Sequence, residues 1–338
     1  MGELSWKGWE GKGMIVNFVA NYQAGYVGEV GDATHLAREM EALGHTVRKI
    51  PQDAWREYVI DGMPEGKYDV PRDLKANINI ICKWHHFYDG SFIEQLRIVS
   101  GAPVFYWVWD YMDDAGLPSW HRNMVDSADL YLGNDIYSPQ YKDVKNKYYF
   151  PFDVADGDIP RHQMEKKYDV VFFGSWLGQG DRIEYLTEIN KTNPITVFSW
   201  NHEEWEKRGF TAHPAIYGIN FARAVGQSRI ILGLSVEATS WGYWSNRVGK
   251  VLTLGGFLLY QYAPGMEIFL HDGAEYFSSI EEAREKIDHY MIADTEREAI
   301  AKRGYEIGRM HFTSKARVKD LMILAERFLK KGSKIWKI

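Results

Sequence analysis

The chain has 338 residues with 40 Lys and Arg against 46 Asp and Glu, a net charge of −6, and at roughly 150 residues per domain it is expected to form two domains. A hydrophobic content of 45% with 25% charged residues excludes global disorder, and a single cysteine, Cys82, excludes a disulfide scaffold and a cysteine-based zinc site. No run reaches the roughly 18–20 apolar residues of a membrane span and MGELSWKGWEGKG lacks a signal-peptide core, so a soluble, cytoplasmic protein is expected.

The first strong strand is GMIVNFVAN, residues 13–21. AGYVGEVG follows, with Gly25, Gly28 and Gly31 three apart. A helix comes next, capped by Asp32 or Thr34, with Ala33, Leu36, Ala37, Met40 and Leu43 as one apolar stripe. Gly44 ends it, where a left-handed residue is favoured, and residues 45–50 read as the next strand. INIICKW (78–84), PVFYWVWD (103–110) and ADLYLGN (128–134) are apolar runs of parallel-strand type, with helical or loop segments between them. The polar stretch 151–167, with Pro151 and Pro160, reads as a linker.

A second series then begins. Strands are expected at 169–175, 194–200, 229–235 and 255–261, and helices at 181–190, around 217–227 and at 245–254. Helices at 280–293, 295–311 and 314–331 complete the chain. Two such series predict an α/β protein with two doubly wound domains, residues 1–155 and 165–313, facing a cleft. In such sheets ligands bind outside the carboxyl ends of the strands.

The glycine loop is spaced G-x-x-G-x-x-G rather than G-x-G-x-x-G, so it supports close approach to a ligand and a turn needing positive φ equally. His35, early in the following helix and off its apolar stripe, is a candidate general base or a solvated surface histidine. His85 and His86 follow a strand, but no acidic or thiol partner stands at metal-like spacing, so no metal site is expected. Asp110 ends VFYWVWD and is a candidate base, or a cap for the segment after it, while Asp113 and Asp114 read as surface charges.

In the second series Gly174-Ser175 follows a strand and Arg182 opens the next helix, an arrangement suited to a phosphate or to an ordinary turn. Ser245, Asn246 and Arg247 precede a helix whose start favours an anion. Gly255-Gly256 allows a tight turn into the next strand, and Glu267 follows Pro264-Gly265 on a loop after it.

SNRVGKVLTLGGFLLYQYAPGMEIFLHDGAEYFSSIEEAREKIDHYM carries a resemblance to the donor-binding half of GT-B glycosyltransferases, most of all to the CgeB-like (spore maturation) group related to glycosyltransferase group 1. The pattern S-x-R-x-x-E, a small-residue turn, an apolar strand, P-G-x-E and D-G is matched by Ser245, Arg247, Gly255, Gly256, Pro264, Gly265, Glu267, Asp272 and Gly273. Arg297, Gly304, HFTSKARV, DVVFFGS with Arg182 and YGINFARAVGQSRIILGLS also fit. The likeness covers most of 14–330 and is most specific over 229–312.

One position departs from the pattern. Lys250 stands where the family has a Glu that holds the nucleotide ribose, and a Lys cannot accept hydrogen bonds from hydroxyls. Gly242 falls on the earlier Glu of many retaining relatives, so the stereochemical outcome is left open.

The resemblance implies transfer of a sugar from a nucleotide-sugar donor, such as a UDP-sugar, to an acceptor hydroxyl. The donor is expected on the second domain and an acceptor glycan or small molecule on the first, with no further cofactor and no catalytic metal. Residues 314–338 are expected to cross back to the first domain as a helix. Gly174, Ser175, Arg182, Ser245, Asn246, Arg247, Lys250, Gly256 and Glu267 are implied for the donor, with Arg182, Arg247 and Lys250 stabilising the departing diphosphate. Asp110 and His35 are the candidates for deprotonating the acceptor.

Three other readings compete. Eight Lys or Arg against two acids in 314–338 suit a nucleic-acid acceptor, as in phage enzymes that glycosylate modified DNA. A nucleotide-sugar epimerase and a non-catalytic binding protein are the remaining two. Aromatic residues reach 15%, including 13 Trp, and six of these (Trp84, Trp107, Trp109, Trp176, Trp241 and Trp244) fall at expected cleft edges, where they would stack on sugar or base or serve as core.

Overall fold

The computed structural model describes residues 13–20, 22, 32–52, 54, 70–82, 88–109, 118–151, 159, 164–175 and 182–331. Strands β1 (Ile15–Ala20), β2 (Thr46–Pro51), β3 (Ile78–Cys82), β4 (Val104–Trp107), β5 (Leu130–Gly133) and β6 (Lys147–Tyr149) form one sheet in the order β2-β1-β3-β4-β5-β6. A second sheet contains β7 (Tyr168–Phe173), β8 (Ile195–Ser199), β9 (Thr211–Pro214), β10 (Ser228–Gly233), β11 (Leu258–Gln261) and β12 (Glu275–Phe277), in the order β12-β11-β10-β7-β8-β9. All of these strand pairs are parallel.

Parallel neighbours need crossovers, and helices provide them. The first sheet carries α1 (Asp32–Ala42), α2 (Gly90–Ser100) and α3 (Ser119–Ser127). The second carries α4 (Arg182–Asn190), α5 (His202–Glu206), α6 (Gly218–Gln227), α7 (Arg247–Thr253), α8 (Met266–Leu270), α9 (Ile280–Ile292) and α10 (Asp294–His311), and α11 (Ser314–Lys331) follows. The result is two doubly wound Rossmann-like domains, as the alternation of strands and helices predicts.

Each sheet has a hydrophobic core on both faces. This is why its central strands read as continuous apolar runs: all five residues of β3 are buried. Buried Asn17 and Asn79 are opposite each other in β1 and β3, and their side chains hydrogen-bond at 2.9 Å. Asn79 also donates to Ser100 Oγ at 2.8 Å, so this polar pair fixes the strand register with its partners satisfied.

In α1 the expected stripe is buried through Ala33, Leu36, Ala37 and Met40, and Gly44 follows with a φ of +88°. Helix α11 packs on α1 rather than on the sheet that precedes it. Its Val318, Leu321, Met322, Leu324, Ala325 and Phe328 join the core of Phe18 and Leu36, and the Phe328 ring meets Phe105 edge-on at 5.1 Å.

The sequence did not single out β6, β9, β12, α5 or α8. Three of these are the short strands KYY, TAHP and EYF, at or near sheet edges and only partly buried, so they lack an apolar run. Strand β11 starts at Leu258, three residues later than expected, because Gly255 turns with a φ of +74° before it.

The two domains touch through an aromatic seam. Tyr149 Oη donates to the carbonyl of Gly242 at 2.7 Å, and the Tyr149 ring lies 5.3 Å from both Trp241 and Phe269. Tyr137 meets Trp241 edge-on at 4.8 Å, and the hydroxyls of Ser138 and Ser240 are 3.2 Å apart.

Candidate active site

The second sheet reverses its winding between β7 and β10. From β7 the chain steps outward through β8 and β9, then returns to the other side of β7 for β10, β11 and β12. The loops after two such strands separate and leave a crevice at their carboxyl ends. A cavity of about 300 Å³ opens there. Its wall takes Phe173, Gly174 and Ser175 from the end of β7, Phe198, Ser199 and Trp200 from the end of β8, and Ala215, Ile216, Tyr217, Gly218 and Phe221 from the start of α6. Ser245, Asn246, Arg247 and Lys250 complete it from the start of α7.

Part of this wall is aromatic. The Phe173 ring stacks on Phe198 at 5.4 Å and meets Phe221 edge-on at 4.7 Å. Trp200 lies 5.5 Å from Tyr217 and leaves 51% of its surface exposed, a flat apolar face open to a planar ligand.

Another part of the wall is cationic. Arg247 is the first residue of α7, and its backbone N–H donates to Ser245 Oγ at 3.2 Å. Burial of the guanidinium lowers its pKa. Arg182, 3% exposed, does not belong to the cavity wall. It donates through Nη2 to the carbonyl of Leu234 at 3.2 Å, while its Nε and Nη1 have no hydrogen-bond partner among the described residues. Burial first, and the Arg247 charge second, push its pKa down from the ordinary guanidinium range to about 10. Among the described residues no carboxylate forms an ion pair with either arginine. Gly233 makes room for the cluster: a Cβ there would sit 2.1 Å from the Tyr260 ring, whose hydroxyl accepts from Ser245 N at 3.3 Å.

Lys250 is one turn beyond Arg247 and is differently placed. Its Nζ lies 3.1 and 3.3 Å from the two carboxylate oxygens of Asp32, which reach across from the first domain. Asn246 Nδ2 approaches the same carboxylate at 3.4 Å.

Of the residues expected from sequence, Gly174, Ser175, Ser245, Asn246, Arg247 and Lys250 are brought together in the cavity wall, and Arg182 lies close to Arg247. Gly256 and Glu267 are not in that wall. Gly256 precedes β11, at the opposite end of the strand from the cavity, where a Cβ would lie 2.6 Å from Ile231 and 2.8 Å from Val225. It is a packing glycine. Glu267 is exposed and hydrogen-bonds to Tyr262. His35 is on α1, three residues after Asp32 and so on the same side of the helix.

Asp110, the three glycines of the loop before α1, His85 and His86 lie outside the described residues, as do Trp84 and Trp176. Trp107 is fully buried and Trp244 is 2% exposed, so these two are core rather than cleft surface. Trp109 packs edge-on against Trp107, and Trp241 belongs to the interdomain seam. Trp200, Tyr217 and Asp32 were not expected at the site. The only trace of Trp200 in the sequence is its place at the end of a strand. Among the described residues no group of three or more His, Cys, Asp or Glu is arranged to hold a metal, and no helix is long and apolar enough to cross a membrane.

Residues 163–323 match the family described as glycosyl transferase-like. No curated protein matches the sequence. Solved structures match nearly the whole chain. Sucrose-phosphate synthase from Thermosynechococcus elongatus superimposes with a TM-score of 0.65 at 10% identity, covering 94% of this chain and 99% of that one. An α-glucosyltransferase in complex with UDP-glucose and DNA gives 0.62 at 11% identity, covering 93% and 100%. Anabaena HepE, in complex with UDP and glucose, gives 0.59 at 11% identity with the same coverage. The chain as a whole thus has the two-domain GT-B fold of these structures, and its residues 163–323 resemble the glycosyl transferase-like family.

Proposed function

We propose that the protein transfers a sugar from a nucleoside-diphosphate sugar to an acceptor hydroxyl, with the donor seated in the cavity between β7 and β10. The observation that carries this reading is the arginine pair, held beside an exposed aromatic face with no carboxylate partner among the described residues. Two uncompensated guanidiniums suit a diphosphate, and the Trp200–Tyr217 corner suits a nucleobase. HepE and the α-glucosyltransferase, which share the fold, have been solved with UDP or UDP-glucose.

In the reaction the acceptor oxygen attacks the anomeric carbon while the bond from that carbon to the diphosphate breaks. The leaving diphosphate keeps the electron pair, and Arg247, in the cavity wall, neutralises the charge as it develops. Arg182 adds positive potential from beneath. The acceptor proton passes to a base on the first domain, with His35 and Asp110 the candidates. No metal or further cofactor is assigned a step.

A thermal-shift screen of UDP, UDP-glucose and other nucleotide sugars tests the reading. A ligand at 100 times its Kd stabilises the folded state by about 2.7 kcal/mol. The expected result is a clear rise in Tm with at least one of them, lost in Arg247→Ala. No rise with any nucleotide sugar overturns the reading.

A nucleic-acid acceptor is the second reading. It rests on the exposed Lys315, Arg327 and Lys330 along α11 and on the α-glucosyltransferase solved with DNA. A gel shift that weakens steeply with salt supports it, and no binding at low salt removes it.

A further inference from the structure

We infer that Asp32, carried by the first domain, is a specificity-determining residue of the donor site and reads a vicinal diol of the nucleotide sugar. The inference rests on the donor reading above and deepens it.

Among the described residues of the cavity wall none is acidic. A nucleoside-diphosphate sugar brings a dianionic diphosphate, for which the arginines suffice, but also the hydroxyls of its ribose and its hexose. Each hydroxyl has a proton to donate as well as lone pairs to offer. In a site lined by arginine, lysine, serine and aromatic rings, acceptors for those protons are few. Among the described residues Asp32 is the carboxylate that reaches this wall, through Lys250 at 3.1 Å and Asn246 at 3.4 Å.

The pair has capacity to spare. A carboxylate offers about four lone-pair sites and an ammonium three N–H donors. Lys250 and Asn246 occupy three sites on Asp32, and Asp32 occupies two of the Lys250 donors. An acceptor and a donor therefore remain side by side. The two side chains keep 34% and 31% of their surface exposed, so both stay within reach of a ligand. One hydroxyl giving its proton to Asp32 and its neighbour accepting from Lys250 is the complement of a vicinal diol.

The same pairing excludes a phosphate. An oxyanion beside Lys250 would also sit beside the Asp32 carboxylate, and the repulsion cancels the attraction. Lys250 is thus separated in function from Arg247, one turn away on α7, whose charge no described carboxylate balances. Because Asp32 and Lys250 belong to different domains, this diol site exists only while the domains face each other as they do here.

The diol belongs either to the ribose or to the hexose, and isothermal titration separates the two. The ribose arm compares UDP, ADP and GDP with their 2′-deoxy forms. The hexose arm compares the glucose conjugate of the nucleotide that binds with its 2-deoxyglucose conjugate. The expected result is about tenfold weaker binding of the deoxy ligand in one arm for the unaltered protein, reduced to about twofold or less in Asp32→Ala. Asp32→Asn, which preserves the shape and an acceptor, is expected to fall between them. Discrimination that is absent in both arms, or that survives unchanged in both variants, overturns the inference and leaves the donor reading standing. Failure of all three nucleoside diphosphates to bind the unaltered protein overturns the donor reading, and this inference with it.

Discussion

Replacing Arg182 with methionine is expected to stabilise the empty protein while weakening its hold on a nucleotide. The side chain is 3% exposed, and its pKa falls from the ordinary guanidinium range to about 10. At about 1.4 kcal/mol per pKa unit, keeping this group charged inside the fold costs roughly 3 kcal/mol. The sign follows from proton linkage. Above pH 10 the unfolded chain still holds a proton that the folded chain has lost, so the penalty is fully present at pH 7 and is relieved only above pH 10. Methionine keeps most of the aliphatic stem in place and removes the charge. It forfeits the bond to the Leu234 carbonyl, worth about 1 kcal/mol. The net expectation is a gain of about 2 kcal/mol, or roughly 4–8 °C in Tm for a domain of about 150 residues. Differential scanning fluorimetry with and without UDP reads both quantities. The reasoning fails if the variant melts lower than the unaltered protein while UDP binds to it equally well.

Two further predictions rest on separate features. Trp200→Ala is expected to weaken nucleotide binding about tenfold, in line with the roughly 1–3 kcal/mol of base–aromatic stacking, with little change in urea stability because half of the ring is already exposed; unchanged nucleotide affinity by calorimetry removes Trp200 from the donor site. His121 is buried between the hydroxyls of Tyr106 at 2.9 Å and Tyr141 at 3.2 Å, and burial lowers its pKa from 6.5 to about 3. The unfolded chain binds the proton first, so stability is fully present above about pH 6.5 and falls by roughly 4–5 kcal/mol toward pH 3. His121→Gln is expected to flatten that acid limb in urea titrations at several pH values, and an equally steep limb in the variant contradicts the assignment.

The parallel core strands were legible in the sequence because burial on both faces leaves a signature that needs no partner to interpret. IVNFVA, INIIC and VFYW are apolar throughout or nearly so. The partly buried strands KYY and TAHP carry no such signature, since their place is set by a neighbour in the sheet. The site divides in the same way. Ser245 and Arg247 announced themselves by their spacing, and Ser175 by its place after a strand. Trp200 was read only as the last residue of a strand, and it is the packing of Tyr217 beside it that makes a corner. Asp32 was read as a helix cap. Its ion pair with Lys250 joins residues 218 positions apart, a distance across which local patterning carries no information. Gly256 and Glu267 stand outside the described wall of the cavity, and a glycine that packs as closely as Gly256 looks in a sequence like one that makes room for a ligand.

The placement of α11 bears on how the molecule is made. Leu321, Ala325 and Phe328 complete a core whose other members, such as Phe18, Leu36 and Phe105, belong to the first half of the chain. During synthesis the whole second sheet emerges before the residues that close the first. The first domain therefore waits with an open apolar face along α1 and β4, while the second has every strand it needs. The order of completion runs opposite to the order of synthesis. A fragment ending before residue 314 would carry that face uncovered, and dissection of the two domains succeeds only if α11 travels with the first.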